Sequence, residues 1–124
     1  MLGKLDCVAI WSEDPEKLFQ WYKKVFGVEE SLRENAADDT GVGIDVGGLL
    51  LWFGKHSEIH GNNKDPLRHI LEFKVENLDE VYGWLKRAGA KIIREPSYSP
   101  TVNADVVTAE DPEQNTIQFF QIRK

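Results

Sequence analysis

The residues whose types and spacing suit chemistry fall into four groups. His56 and His60, with Glu58 between them, have the i, i+4 spacing that lets two imidazoles on a helix share a metal. Gly61, Asn62, Asn63 and Pro66 follow closely, so the segment reads instead as a mobile linker with no fixed coordination geometry. Cys7 is the single thiol, and no sequence feature supplies the base that would activate it; an unactivated cysteine behaves as a small apolar residue. Glu72 and Lys74 lie two apart in a strand-like run, which places both on one face about 6.5 to 7 Å apart. That pair can hold one polar ligand, or form an ion pair of little energetic weight at the mouth of a cleft. Trp11, Phe53 and Phe120 can stack on a flat or apolar ligand, or fill a core.

The elements that must position these groups are marked by turn and cap signals. A strand-like run from Leu5 to Trp11 precedes Asp14-Pro15-Glu16, where Asp caps a helix and Pro suits its first turn. Leu18, Phe19, Trp21, Tyr22, Val25 and Phe26 recur at helical spacing, and Gly27 ends the helix. Strands are then expected at Val28 to Arg33, Gly41 to Val46 and Leu49 to Phe53. The second half repeats the scheme: a strand from Arg68 to Val75, an Asn77 cap with Glu80 three residues on, a helix carrying Val81, Tyr82, Trp84 and Leu85, and a stop at Gly89. Strands follow at Lys91 to Arg94, Ala104 to Ala109 and Thr116 to Ile122, with a loop at Pro96 to Pro100. Asp14 and Asn77 (77 − 14) and Trp21 and Trp84 (84 − 21) share a spacing of 63, so the unit is duplicated. The expected division is module one over 1–54, a linker over 55–67 and module two over 68–124. The module ends align Gly48 to Phe53 with Asn115 to Phe120, which matches Leu51 to Gln118.

At 124 residues and 41% hydrophobic content, the chain can form one domain, 1–124, with a core of its own. A net charge of −6 argues against nucleic acid and anionic membrane surfaces, both of which recruit clustered Lys and Arg. One cysteine cannot form an internal disulfide, and Asp6, Glu13 and Asp14 interrupt the N-terminal apolar run, so the expected setting is cytoplasmic. No stretch approaches the length of a membrane span.

Alternation assigns each strand's faces. Val8 and Ile10 suit the helix side, leaving Cys7, Ala9 and Trp11 on the other. Leu71, Phe73 and Val75 suit the second helix, leaving Ile70, Glu72 and Lys74. By the same count Leu50 and Trp52 pack under the helix while Leu49, Leu51 and Phe53 face away, and Ile117 and Phe119 oppose Thr116, Gln118 and Phe120.

The segment Leu5-Asp6-Cys7-Val8-Ala9-Ile10, then Asp14, Trp21-Tyr22 and Phe26-Gly27, resembles the opening of vicinal oxygen chelate (glyoxalase/bleomycin-resistance/dioxygenase-like) proteins. Asp111-Pro112-Glu113-Gln114-Asn115-Thr116-Ile117-Gln118 is similar to their closing turn and last strand. The resemblance implies an α+β fold of two tandem βαβββ modules forming a curved mixed sheet, a half-barrel, around a cavity. It also implies metal ligands (His, Gln or Glu) drawn from the first and last strand of each module. In the alignment above those positions hold Cys7, Leu51, Ile70 and Gln118, and two aliphatic residues among four do not make a site for a hard cation. His69 stands one residue from Ile70 and points to the opposite face unless a bulge shifts the register.

The expected function is therefore metal-independent binding of a small molecule, a drug or metabolite being sequestered, with no cofactor and no metal. Cys7, Trp11, Leu51, Phe53, Ile70, Glu72, Lys74, Gln118 and Phe120 are the expected ligand-binding residues, converging on one cavity, and the expected assembly is a homodimer. The alternatives are a metal-dependent glyoxalase-like isomerase or lyase, or a dioxygenase-related enzyme, with an unforeseen ligand set, and an interaction domain with an empty cavity.

Overall fold

A computed structural model describes residues 2–37 and 39–124. Residues 1–61 and 62–124 form two compact units, and each is a four-stranded mixed sheet with one helix. The first contains β1 (Cys7–Ser12), α1 (Pro15–Phe26), β2 (Leu32–Ala36), β3 (Asp39–Val46) and β4 (Leu49–Lys55), with strand order β1-β4-β3-β2. The second contains β5 (Ile70–Lys74), α2 (Leu78–Arg87), β6 (Lys91–Ser99), β7 (Ala104–Glu110) and β8 (Thr116–Ile122), in the order β5-β8-β7-β6. In each module the first and last strands are parallel and the rest antiparallel. This is the expected α+β duplication of βαβββ units, with a separate sheet in each module and neither closed into a barrel. Among the described residues no helix is long and apolar enough to cross a membrane.

Both helix starts follow from their cap residues. Asp14 accepts the Lys17 backbone N–H at 3.1 Å with Pro15 at the first helical position, and Asn77 accepts that of Glu80 at 3.0 Å. Glycine ends the first helix because the chain turns left-handed there: Gly27 sits at φ 69° and its N–H returns to the Lys23 carbonyl at 2.8 Å. The core of module one is Leu18, Phe19, Tyr22 and Val25 packed on Val42, Ile44, Leu51 and Phe53; that of module two is Leu78, Val81 and Leu85 with Val107, Ala109, Ile117 and Phe119. Trp21 and Trp84, read as core from helical spacing, are only half-buried; Trp21 stands edge-on to Tyr22 and Phe26.

Two strands depart from the sequence reading by more than two residues at an end, the others by two or fewer. β2 begins at Leu32, not Val28, because Ser31 already bonds to the Gly43 carbonyl and the register runs on from there. β6 continues through Pro96 to Ser99, where a loop was expected. It is the edge strand of its sheet, and register shifts between Ile92 and Arg94 and between Arg94 and Ser97 let the proline sit without breaking a ladder. The linker is also better tied than a mobile segment. Glu13 receives the Gly61 N–H and lies 3.4 Å from His60 Nδ1, contacts that lower its pKa, with the Gly61 bond the larger cause. Past Gly61, Asn62 and Asn63 bond to Gln114, Glu113 and Asn115 of the closing turn, and Thr116 Oγ1 donates to the Pro66 carbonyl.

Candidate functional site: the sheet faces opposite the helices

Each sheet has one face on its helix and one away from it, the outward face, and the candidate side chains belong to that second face. In β1, Cys7, Ala9 and Trp11 are exposed while Val8 and Ile10 are half-buried. In β5, Ile70, Glu72 and Lys74 are exposed while Leu71 and Phe73 are half-buried. Alternation assigned both strands as the structure has them.

For β4 the faces are reversed. The parallel ladder pairs Val8 with Leu51 and Ile10 with Phe53, so Leu51 and Phe53 share the helix side; Phe53 is fully buried, with its ring 4.9 Å from Tyr22 and 6.4 Å from Phe19. Leu51 and Phe53, expected as ligand contacts, are core residues under α1. Leu50 and Trp52 take the outward face, opposite Cys7 and Ala9. The physical reason is that Leu49 to Phe53 is apolar at every position, so periodicity carries no parity and a one-residue slip exchanges the faces. The same correction changes the repeat. Cys7 pairs with Leu50 as Ile70 pairs with Thr116, and Ala9 pairs with Trp52 as Glu72 pairs with Gln118. Trp52, not Leu51, is the counterpart of Gln118.

In module two, Ile70, Glu72, Lys74, Gln118 and Phe120 share the outward face, and the ladders join one row across all four strands: Glu72, Gln118, Thr108 and Arg94. Thr108 Oγ1 donates to Gln118 Oε1 at 3.0 Å, and Gln118 Nε2 donates to Glu72 Oε1 at 2.6 Å. The direction is forced. An ionised carboxylate only accepts, so the amide must present its NH₂ to Glu72, which turns its oxygen to Thr108 and makes that hydroxyl the donor. Thr108 is buried, Gln118 half-buried and Glu72 exposed, so the relay holds one carboxylate oriented at the surface. Sequence reasoning missed Thr108 and Arg94. Thr108 was not legible, since Val106 and Val107 on opposite faces of β7 are both apolar and both buried; nor was Arg94, because the register shifts around it disturb alternation.

In module one the corresponding row is Ala9, Trp52, Gly43 and Leu32. The next row is Trp11, Gly54, Gly41 and Glu34. Glycine is required along both. A Cβ at Gly41 would lie 2.5 Å from Trp52 Cζ2 and from the Phe53 carbonyl oxygen, and one at Gly54 would lie 2.6 Å from Trp11 Cζ3 and from Trp52 Nε1. The Trp52 indole therefore lies flat on bare backbone, and Trp11 leans against the same spot with His56 edge-on at 5.5 Å. His56 and His60 are not on a helix, which removes the spacing argument for a shared metal.

Against this geometry, residues 4–119 match the model of the Glyoxalase/Bleomycin resistance protein/Dioxygenase superfamily, and the chain belongs to that family. An uncharacterized Bacillus subtilis protein, YraH, is 28% identical over 96% of this chain and 98% of its own. Two solved structures share the fold. A glyoxylase/bleomycin resistance protein/dioxygenase domain from a Frankia species has a TM-score of 0.81 at 19% identity, covering 99% of this chain and 100% of that one. The genomically encoded fosfomycin resistance protein FosX from Listeria monocytogenes has a TM-score of 0.75 at 14% identity, covering 99% and 96%.

Members of the resembled family draw metal ligands from the first and last strand of each module. With the ladders aligned, those positions here hold Cys7 and Trp52 in one module and Ile70 and Gln118 in the other. An indole and an aliphatic chain offer no lone pair for a metal, which leaves the Cys7 thiol and the Gln118 oxygen, one soft donor and one hard one. This set does not fit a divalent cation with nitrogen and oxygen preferences. Among the described residues no other group of three or more His, Cys, Asp and Glu is placed to hold one.

Proposed function

We propose that this chain is a metal-independent small-molecule binding protein of the glyoxalase/bleomycin-resistance type, which sequesters its ligand without transforming it. The observation that carries this is the set at the four ligand positions, Cys7, Trp52, Ile70 and Gln118, two of which offer a metal no donor at all. Gln118, the only ordinary hard donor among them, accepts from Thr108, and its NH₂ fixes Glu72. A row of this kind reads a polar group on a ligand. Ile70 and Phe120 supply apolar surface beside it, and Lys74 a second charge on the same face. The cytoplasmic setting and the homodimer belong to the same proposal; β2 is exposed along its whole length as a sheet edge that a second copy would cover.

The test is elemental analysis of tag-free protein together with a melting-shift screen of drugs and metabolites, with light scattering on the same sample. The expected result is less than one-tenth of an ion of zinc, nickel, iron or manganese per chain, a dimer, and at least one compound that raises Tm. Glu72→Gln should weaken that compound's binding while leaving the melting temperature of the free protein within about 2 °C. One tightly held metal ion per chain would overturn the proposal, as would a screen in which nothing binds.

A further inference from the structure

The outward face of module one has features that the polar row of module two does not explain. Three glycines, Gly41, Gly43 and Gly54, stand where any side chain would collide with Trp52, Leu50 or Trp11. Glycine inside a strand weakens it, so three on one face need a local reason, and here the reason is the close approach of two indoles. Trp52 is nearly covered, at 7% exposed, and acts as a prop. Trp11 is 43% exposed and is propped from below by Gly54 and Trp52 and flanked by the His56 ring. An exposed indole free to rotate would lose conformational entropy on binding; one wedged in this way has little left to lose.

The electrostatics of this face are one-sided. By register, the charged residues that β1 to β4 turn outward are Glu34, Asp39 and Asp45, and no lysine or arginine is among them. Asp45 is partly occupied by the Gly48 N–H. Arg33, beside Glu34, points the other way and is held by Glu16 and Glu30 on the helix side. The face of an indole carries its own negative quadrupole, which attracts cations.

We infer that Trp11, positioned by Trp52 on the glycine bed, is a stacking contact for a planar aromatic cation. Resting on the small-molecule reading above, this names the ligand's class: a flat, positively charged ring system in preference to an anionic or a non-planar one. Gly54 and Trp52 are positioning residues, since they act through Trp11.

The experiment titrates the protein at pH 7.5 with proflavine (a planar cation), 9-anthracenecarboxylate (a planar anion) and cyclohexylammonium (a non-planar cation), following tryptophan emission and calorimetric heat. Proflavine should quench the emission and bind at least about tenfold more tightly than either comparison compound. Trp11→Ala should weaken proflavine about tenfold, and Gly54→Ala should weaken it by displacing the indoles. If Gly54→Ala does not fold, Trp52→Phe takes its place, with weakened proflavine binding as the readout of lost positioning. Equal binding of cation and anion, or proflavine binding that Trp11→Ala leaves intact, would overturn the inference. The two proposals fail separately. If the melting-shift screen finds ligands that are all non-planar and indifferent to Trp11→Ala, this inference falls and the small-molecule reading stands. If one metal ion per chain is found while proflavine still binds through Trp11, the metal-independent reading falls and this inference stands.

Discussion

The two modules share a fold and differ in what they show on the face away from the helix. At equivalent ladder positions module one has Ala9, Trp52, Gly43 and Leu32, where module two has Glu72, Gln118, Thr108 and Arg94. One row is an indole lying on bare backbone, and the other is a directed hydrogen-bond relay ending in a carboxylate. Beneath them the helix-side cores are nearly interchangeable: Val42, Ile44, Leu51 and Phe53 in one, Val107, Ala109, Ile117 and Phe119 in the other. Duplication preserved the packing against each helix, while the faces away from the helices diverged. Each of those faces is matched within its own sheet, by glycines under Trp52 in one and by the Thr108–Gln118–Glu72 bonds in the other.

Three measurements would break or sharpen this contrast. The largest effect should come from the shared core. Phe53→Ala removes a fully buried ring that packs on Phe19 and Tyr22 and should cost about 3–5 kcal/mol in chemical unfolding, while Glu72→Ala on the outward row of module two should cost less than about 1.5 kcal/mol. A harmless Phe53→Ala would return that residue to the outward face and undo the corrected register. A middle-sized effect should mark the glycine bed. Gly41→Ala drives a methyl against the Phe53 carbonyl oxygen, which is backbone and cannot turn aside, and should cost about 1–3 kcal/mol with a shift in tryptophan emission. If the variant melts like the parent and its emission is unchanged, the indole does not lie on the glycines.

The smallest effect concerns the arginine clamp of each module. Arg33 on β2 bonds to Glu16 of α1 and to Glu30, and Arg123 makes two bonds to Asp105 of β7 and lies over the Tyr98 ring. The hydrogen bonds from the guanidinium groups hold Glu16, Glu30 and Asp105 below the ordinary carboxylate range. A depressed folded-state pKa gives stability that is complete above the unfolded value and is lost as pH falls through the folded one. Arg33→Met and Arg123→Met should therefore melt slightly below the parent at pH 7, with the gap closing as the pH is lowered past the carboxylate range and closing sooner in high salt. A gap that persists in acid would mean that the arginines act through packing alone.

The helices, their caps, the duplication and the faces of β1 and β5 were legible because each rests on local chemistry. Asp14 and Asn77 satisfy amides three residues away, Gly27 takes a left-handed turn, and polar and apolar residues alternate in Ile70-Leu71-Glu72-Phe73-Lys74. A run such as Leu49-Leu50-Leu51-Trp52-Phe53 has no such contrast, so its parity waited on pairing with β1, some forty residues away. The sequence by itself determined that this chain is two βαβββ units with one polar outward strand. The tertiary ladders decided that Trp52 stands where Gln118 stands in the other module and that Gly41 and Gly54 make room for it. The reason is physical: alternation says only that neighbouring side chains oppose each other, and only the hydrogen-bonded partner strand says which of them faces the helix.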